Sequence, residues 1–223
     1  MRIGSLGGAE CVSVAQLTPR AICVFLLLCA GACGGKSIDG DGWELNEGDV
    51  IFQTSRSAQS QAIQLATHSQ WSHVGVLFQE KGSWRVLEAV QPVRFTPLDV
   101  WVRRGRGGHV VVKRLKGPGR PLTDLQLDRM RKIGKRFLGR PYDLTFEWDD
   151  RRIYCSELVW KIYREGADIE LGTLQKLRDF DLSHPVVRKK MRERYGSSIP
   201  MGEPVVSPQS LFESPLLTTV IQR

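Results

Sequence analysis

After residue 33 this chain of 223 residues contains a single cysteine, Cys155; the other four, at positions 11, 23, 29 and 33, all lie near the N-terminus. That distribution excludes a disulfide framework for the body of the chain. There is no CxxC pair, no paired-histidine motif and a total of only four histidines, so no zinc-ligand spacing is present and no metal or other cofactor is expected. A phosphate-cradling glycine loop is also missing, which excludes nucleotide chemistry of the P-loop kind. Nothing repeats at a fixed period. With 41% hydrophobic and 25% charged residues, 22 Gly and 11 Pro, the composition excludes a fibre, a low-complexity array and a disordered chain.

One apolar run is present, AICVFLLLCAGAC at 21–33, preceded by Arg20 and ending in small residues. It is too short to span a bilayer comfortably as a permanent helix and has the pattern of an export signal. Its end, Ala30 to Cys33 followed by two glycines, resembles a bacterial lipobox with alanine where leucine is usual. Residues 1–33 are therefore expected to be a signal peptide, with Cys33 as the lipid-modified anchor and residues 34–45 as a linker. The product is an exported lipoprotein of the bacterial cell envelope, on the periplasmic or outer-membrane side and attached to the membrane by its lipid. A plain signal peptide or a short uncleaved anchor remains open. In each case the chain leaves the cytoplasm, and with cleavage before Cys33 the thiol of Cys155 stays free in a potentially oxidising compartment. The net charge of +8 suggests an anionic partner without choosing among membrane, wall polymer and nucleic acid.

The pattern beyond the linker reads strands first and helices later. Val50 to Phe52 is a short apolar strand, and residues 55–69 carry Ala62, Ile63 and Ala66 at helical spacing. Two β-branched runs, SHVGVLFQ and WRVLEAVQ, joined by EKGS, predict a hairpin; HVVVKRL at 109–115 is a third clear strand, and TPLDVWVRR a further short one. Thr123 and Gln126 form a capping box for a helix carrying Leu125, Ile133 and Phe137 and stopping at Gly139. From about residue 173 a basic helical stretch and a proline-punctuated tail follow, with Ser207-Pro208 as a helix start. The expected layout is an α+β catalytic domain on an antiparallel sheet over 46–172, with a helical extension over 173–223 packed on it.

Cys155 opens a helix on which Leu158, Val159 and Ile162 follow at i+3, i+4 and i+7, so it lies on the buried face. A free cysteine there is either a small hydrophobe or a thiol among the unpaired N–H groups of a first turn, where thiolate is favoured. A nucleophile needs a base. His73 starts the first hairpin strand and Glu88 lies on the second; a two-residue turn at Lys81-Gly82 makes them diagonal neighbours on one face, close enough for a carboxylate to orient an imidazole. An odd-length turn would invert that parity. His109 is the rival base, His184 reads as surface, and His68 ends a helix.

These residues carry a resemblance. EGDVIFQ, SHVGVLF, VLEAV and RPYDLTFEWDDRRIYCSELV resemble, in that order, the permuted papain-like cysteine hydrolases of the NlpC superfamily, particularly the bacterial YiiX-type group, with lecithin retinol acyltransferase more distant. The histidine preceding the cysteine is the mark of the circularly permuted branch. The likeness runs from about Gly48 to Arg164, and VVSPQSL in the tail also matches. It implies a permuted papain-like (NlpC-type) fold, an antiparallel sheet or barrel packed on the cysteine helix. It implies Cys155 as nucleophile, His73 as general base and acid, and Glu88 as the residue orienting His73. The backbone N–H of Cys155 would serve an oxyanion, with Tyr154 lining the site. Tyr142, Asp143, Trp148 and Asp149 either shape a substrate groove or form a packed, hydrogen-bonded loop.

The expected reaction is cleavage of an amide, a cell-wall peptide or related acyl-amide, through a thioacyl intermediate. A lipid or acyl hydrolase or acyltransferase is the enzymatic alternative, and a wall- or lipid-binding module the non-enzymatic one. Arg103, Arg104, Arg106 and the basic run 188–194 lack interleaved aromatics, so specific nucleic-acid binding is not expected and anionic lipid headgroups suit them better.

Overall fold

The computed structural model describes residues 42–119 and 121–223. The expected signal segment, Cys33 and most of the expected linker lie outside the described residues. The linker ends earlier than expected: Trp43 and Leu45 are buried against one face of the sheet, because two large apolar side chains next to a hydrophobic surface gain more from burial than from solvation.

The centre is a six-stranded antiparallel sheet. Five strands, β1 (Val50–Gln53), β2 (His73–Glu80), β3 (Ser83–Glu88), β4 (Arg94–Pro97) and β5 (Val110–Leu115), come before the two longest helices. Two further strands pair with each other in a small sheet, β6 (Gln175–Lys176) and β7 (Pro204–Val205). The last, β8 (Leu217–Gln222), completes the large sheet in the order β4-β3-β2-β1-β5-β8. The tail is thus more than the helical extension expected: its final residues pair with β5, from Leu115 opposite Leu217 to Val111 opposite Gln222.

The β2–β3 turn has Lys81 and Gly82 both at positive φ, 55° and 78°. That two-residue turn suits the strand twist and fixes the register, with Val76 facing Leu87 and Leu77 facing Val86. TPLDVWVRR is not a strand throughout: β4 gives way at Pro97 to a short helix, α2 (Leu98–Arg104), which lays Leu98, Trp101 and Val102 on the sheet.

Strand alternation divides the core. Ile51, Leu77, Val86, Val110 and Val112 lie under α2, while Val50, Phe52, Val74, Val76 and Leu87 face the major helices. Those include α1 (Ala58–Thr67), α3 (Asp124–Arg136), which begins with the expected Thr123–Gln126 capping box, and α4 (Cys155–Ala167). On α3 the buried positions are Leu127, Met130 and Gly134, and Leu125 points outward. Leu158, Val159 and Ile162 of α4 are fully buried, as the spacing predicts, each contributing about 1.5–3 kcal/mol. Two later helices, α5 (Pro185–Tyr195) and α6 (Pro208–Phe212), complete the described chain, and Ser207 caps α6 as expected. Of the tail's apolar residues Leu216 is exposed, whereas Val205, Val206, Leu211 and Leu217 are buried.

Candidate active site

His73 is the first residue of β2, at the end of the sheet where the N-terminus of α4 arrives. Its imidazole Nε2 lies 2.6 Å from Glu88 Oε2. The ring also lies close enough to the Cys155 sulfur for each group to shift the other's protonation. The backbone N–H of Val74 is also near enough to favour the thiolate. The three residues proposed from the sequence thus meet in one buried group, with Cys155 and Glu88 shielded from solvent and His73 7% exposed.

Glu88 is a fully buried carboxylate and needs donors. Besides His73 it accepts from Thr96 Oγ1 at 2.5 Å, from Trp101 Nε1 at 2.9 Å and from the Arg104 guanidinium. Thr96 comes from the neighbouring strand, and Trp101 and Arg104 lie at i and i+3 on α2. Burial disfavours the charged carboxylate, but His73 and Arg104 outweigh it and hold its pKa down at about 2. Trp101 also stacks on the His73 ring, with centroids 5.8 Å apart. These supporting residues are not foreseen by the sequence reading: Arg104 reads there as part of a basic surface, and a strand over TPLDVWVRR hides the shared face of Trp101 and Arg104.

Burial also opposes the imidazolium of His73, yet the hydrogen bonds to Cys155 and Glu88 raise its pKa to about 9. For Cys155 burial opposes the thiolate, and the hydrogen bond from His73 more than compensates, so the thiol lies below its ordinary value. The pair is biased toward thiolate and imidazolium at neutral pH.

Gly75 sits between His73 and Val76 and faces Glu88 across the ladder, and a Cβ there would lie 2.4 Å from Val86 Cγ1 and 2.9 Å from the Leu87 carbonyl oxygen. Strand β3 must approach this closely for Glu88 to reach His73. Gly75→Ala is expected to spread the two strands and cost on the order of 1–3 kcal/mol through overpacking, and to lower activity with it, as thermal unfolding and turnover measured on the same sample check.

A narrow cleft, with about 70 Å³ of space that water can enter, opens over Cys155. Its lining is almost wholly apolar, including Ile63, Phe146, Met191 and Val206, with Lys190 and Arg194 as its cations. The tail builds one wall, because Ser156 Oγ donates to the Val206 carbonyl at 2.8 Å and Val206 N–H donates to the Tyr154 hydroxyl at 3.1 Å. Tyr154 therefore lines the cleft while its hydroxyl holds the tail. Tyr142 also lines it, with its hydroxyl accepting from Gln59 Nε2 at 2.9 Å.

Trp148 and Asp149 are not among the lining residues. Trp148 packs edge-on against Trp160, centroids 5.4 Å apart, and Asp149 binds its neighbour Arg151 at 2.7 Å. They belong to the packed loop, as does the buried Asp143, which accepts from the Thr145 N–H at 2.7 Å. His109 stacks on Trp71 with centroids 5.8 Å apart, His184 caps α5 from an exposed position, and His68 lies 3.2 Å from Asp181. None of the three is in hydrogen-bond contact with the thiol. The α5 contribution is also unforeseen, though Val187, Met191 and Arg194 at i, i+4 and i+7 form a recognisable helix face.

Residues 44–221 match the family described as permuted papain-like amidase enzyme, YaeF/YiiX, C92 family. The chain is 48% identical over 184 residues to YiiX of Escherichia coli strain K12, an alignment covering 82% of this chain and 90% of that protein. It also superposes with a TM-score of 0.77 and 49% identity on the crystal structure of metalloprotein YiiX from Escherichia coli O157:H7, covering 81% of this chain and 99% of that one. An antiparallel sheet with its histidine strand early and its cysteine helix late, together with these matches, means that the chain belongs to the permuted papain-like amidases of the YaeF/YiiX, C92 family and is a cysteine hydrolase.

Proposed function

We propose that Cys155, His73 and Glu88 form the catalytic triad of this amidase. The observation that carries the reading is a buried Cys155 thiol beside an imidazole whose Nε2 is held by a buried carboxylate. The Cys155 thiolate attacks the amide carbon, forming a C–S bond while the carbonyl electrons move to oxygen. The backbone N–H of Cys155, in the first turn of α4, serves as a donor to that oxygen. When the intermediate collapses the C–N bond breaks, the His73 imidazolium gives its proton to the departing amine, and a thioacyl enzyme remains. Neutral His73 then takes a proton from water, whose oxygen attacks the thioester. The released thiolate and the imidazolium restore the starting pair. Glu88 holds the ring orientation and stabilises its charge throughout.

The apolar wall over Cys155 favours an acyl-amide over a polar cell-wall stem peptide, because charged peptide groups would lose hydration there without partners. The N-terminal apolar run supports export to the cell envelope and anchoring at Cys33. YiiX of Escherichia coli O157:H7 is described as a metalloprotein. Among the described residues of the present chain no group of three or more His, Cys, Asp or Glu is placed to hold a metal ion, so no step here is routed through one.

Reactivity of Cys155 tests the triad. The folded protein without residues 1–33 is expected to be alkylated at Cys155 near neutral pH faster than the denatured protein, and His73→Ala to remove that advantage. Equal rates in folded and denatured samples would leave the thiol a structural one and the triad without support.

A further inference from the structure

The cleft's two cations differ. Lys190 is held by Glu193 at 2.6 Å, whereas Arg194 makes no hydrogen bond or ion pair among the described residues and rests 5.0 Å over the Phe146 ring. Its neighbouring acids are not in contact with it: Asp143 accepts from Thr145 and lies 3.8 Å from Arg152, and Glu193 pairs with Lys190. Burial of the guanidinium is not offset by a carboxylate in contact, and its pKa falls below the usual arginine value. Arg194 lines the cleft together with Tyr142 and Cys155.

A half-buried guanidinium in an apolar wall leaves a planar fork of donors without acceptors, an arrangement that gains most when a ligand brings the anion. The side of the reaction it serves follows from the histidine. Cys155 lines the apolar cleft and His73 does not; His73 instead lines a second, more polar depression with Ser72, Gln91 and Arg104. Tyr142 borders both. The leaving amine must lie where His73 can protonate it, so the apolar cleft is left for the acyl group.

We propose that the cleft binds an apolar acyl group carrying an anionic substituent, a carboxylate or a phosphate-type group, and that Arg194 is the residue recognising that anion. The assignment of the acyl side rests on the triad reading above.

The test compares fluorogenic coumarin amides of octanoic acid, octanedioic acid with one free carboxylate, and a phosphono-octanoic acid, with wild type, Arg194→Gln and Arg194→Lys. Wild type is expected to prefer one or both anionic amides over the octanoyl amide by about tenfold in kcat/KM, the range of a charge-assisted pair. Carboxylate preference and phosphonate preference identify which source the site takes. Arg194→Gln is expected to bring kcat/KM on the anionic amides down to about that on the octanoyl amide, and Arg194→Lys to retain part of the preference. No preference in wild type, or an equal loss on all three amides in Arg194→Gln, would overturn the proposal. A binding measurement separates it from the triad reading. Calorimetry on Cys155→Ala with octanedioic acid, octylphosphonic acid and neutral octanamide should show anion preference that vanishes when Arg194→Gln is added, whether or not any amide is hydrolysed. Equal affinity for the three ligands would end the proposal.

Discussion

Cys155→Ala is expected to lower kcat for amide hydrolysis by roughly 10⁴-fold or more while leaving the fold in place. The loss is large because the thiolate supplies the bond-forming electron pair and no neighbour can replace it. The Ser156 hydroxyl is committed to the Val206 carbonyl, and the remaining contacts of His73 are to Glu88 and Trp101. The fold persists because one sulfur among apolar neighbours is a small volume, and Leu158, Val159 and Ile162 keep α4 seated. Measured turnover beside a thermal unfolding scan separates the two effects. Residual hydrolysis within tenfold of wild type would assign the nucleophile elsewhere.

Glu88 is expected to show the second largest effect, and its two substitutions should separate. In Glu88→Ala the Arg104 guanidinium, the Trp101 N–H and the Thr96 hydroxyl lose their common acceptor, and removing one partner of a buried charge cluster costs about 3–5 kcal/mol. Glu88→Gln can keep its oxygen toward His73, Trp101 and Arg104 and turn its amide group to Thr96, whose hydroxyl can accept. The fold should survive, with kcat reduced by about 10–100-fold, less than in Cys155→Ala. The pH profile is the diagnostic readout. Activity needs thiolate and imidazolium together, so the wild-type alkaline limb falls near the His73 value of about 9 and the acid limb follows the lowered thiol. Because Glu88 is one of the groups raising His73, Glu88→Gln should move the alkaline limb to lower pH. An unmoved limb would remove Glu88 from its role on the imidazole.

Stability responds to the same carboxylate. Its folded pKa is depressed from 4.5 to about 2, so its contribution is fully present above the unfolded value and is lost as pH falls from 4.5 through 2. The shift corresponds to on the order of 3 kcal/mol. The Cys155–His73 pair adds little slope near neutrality, since one group gains a proton as the other loses one.

Several elements were legible in the sequence because their causes are local. The α4 face followed from side chains three and four apart, and the α3 start from the Thr123–Gln126 pair. The hairpin register followed from two residues, Lys81 and Gly82, which fix a strand pairing and with it the side of the sheet on which His73 and Glu88 meet. What was missed depended on neighbours remote in sequence. Nothing local in the last residues specifies that they pair with β5, and the brevity of α2 allowed strand and helix readings of the same residues.

The sequence by itself determined the candidate triad's components, their order along the chain and the inward aim of Cys155, because strand alternation and helix periodicity set which way a side chain points. Only the tertiary structure decided what surrounds them. It brought Thr96, Trp101 and Arg104 onto Glu88 and laid Val206 and α5 over the thiol. It also turned Trp148 and Asp149 away from the cleft. Those contacts join segments far apart in the chain, and their energies come from burial and hydrogen-bond satisfaction in the packed molecule, which no local periodicity encodes.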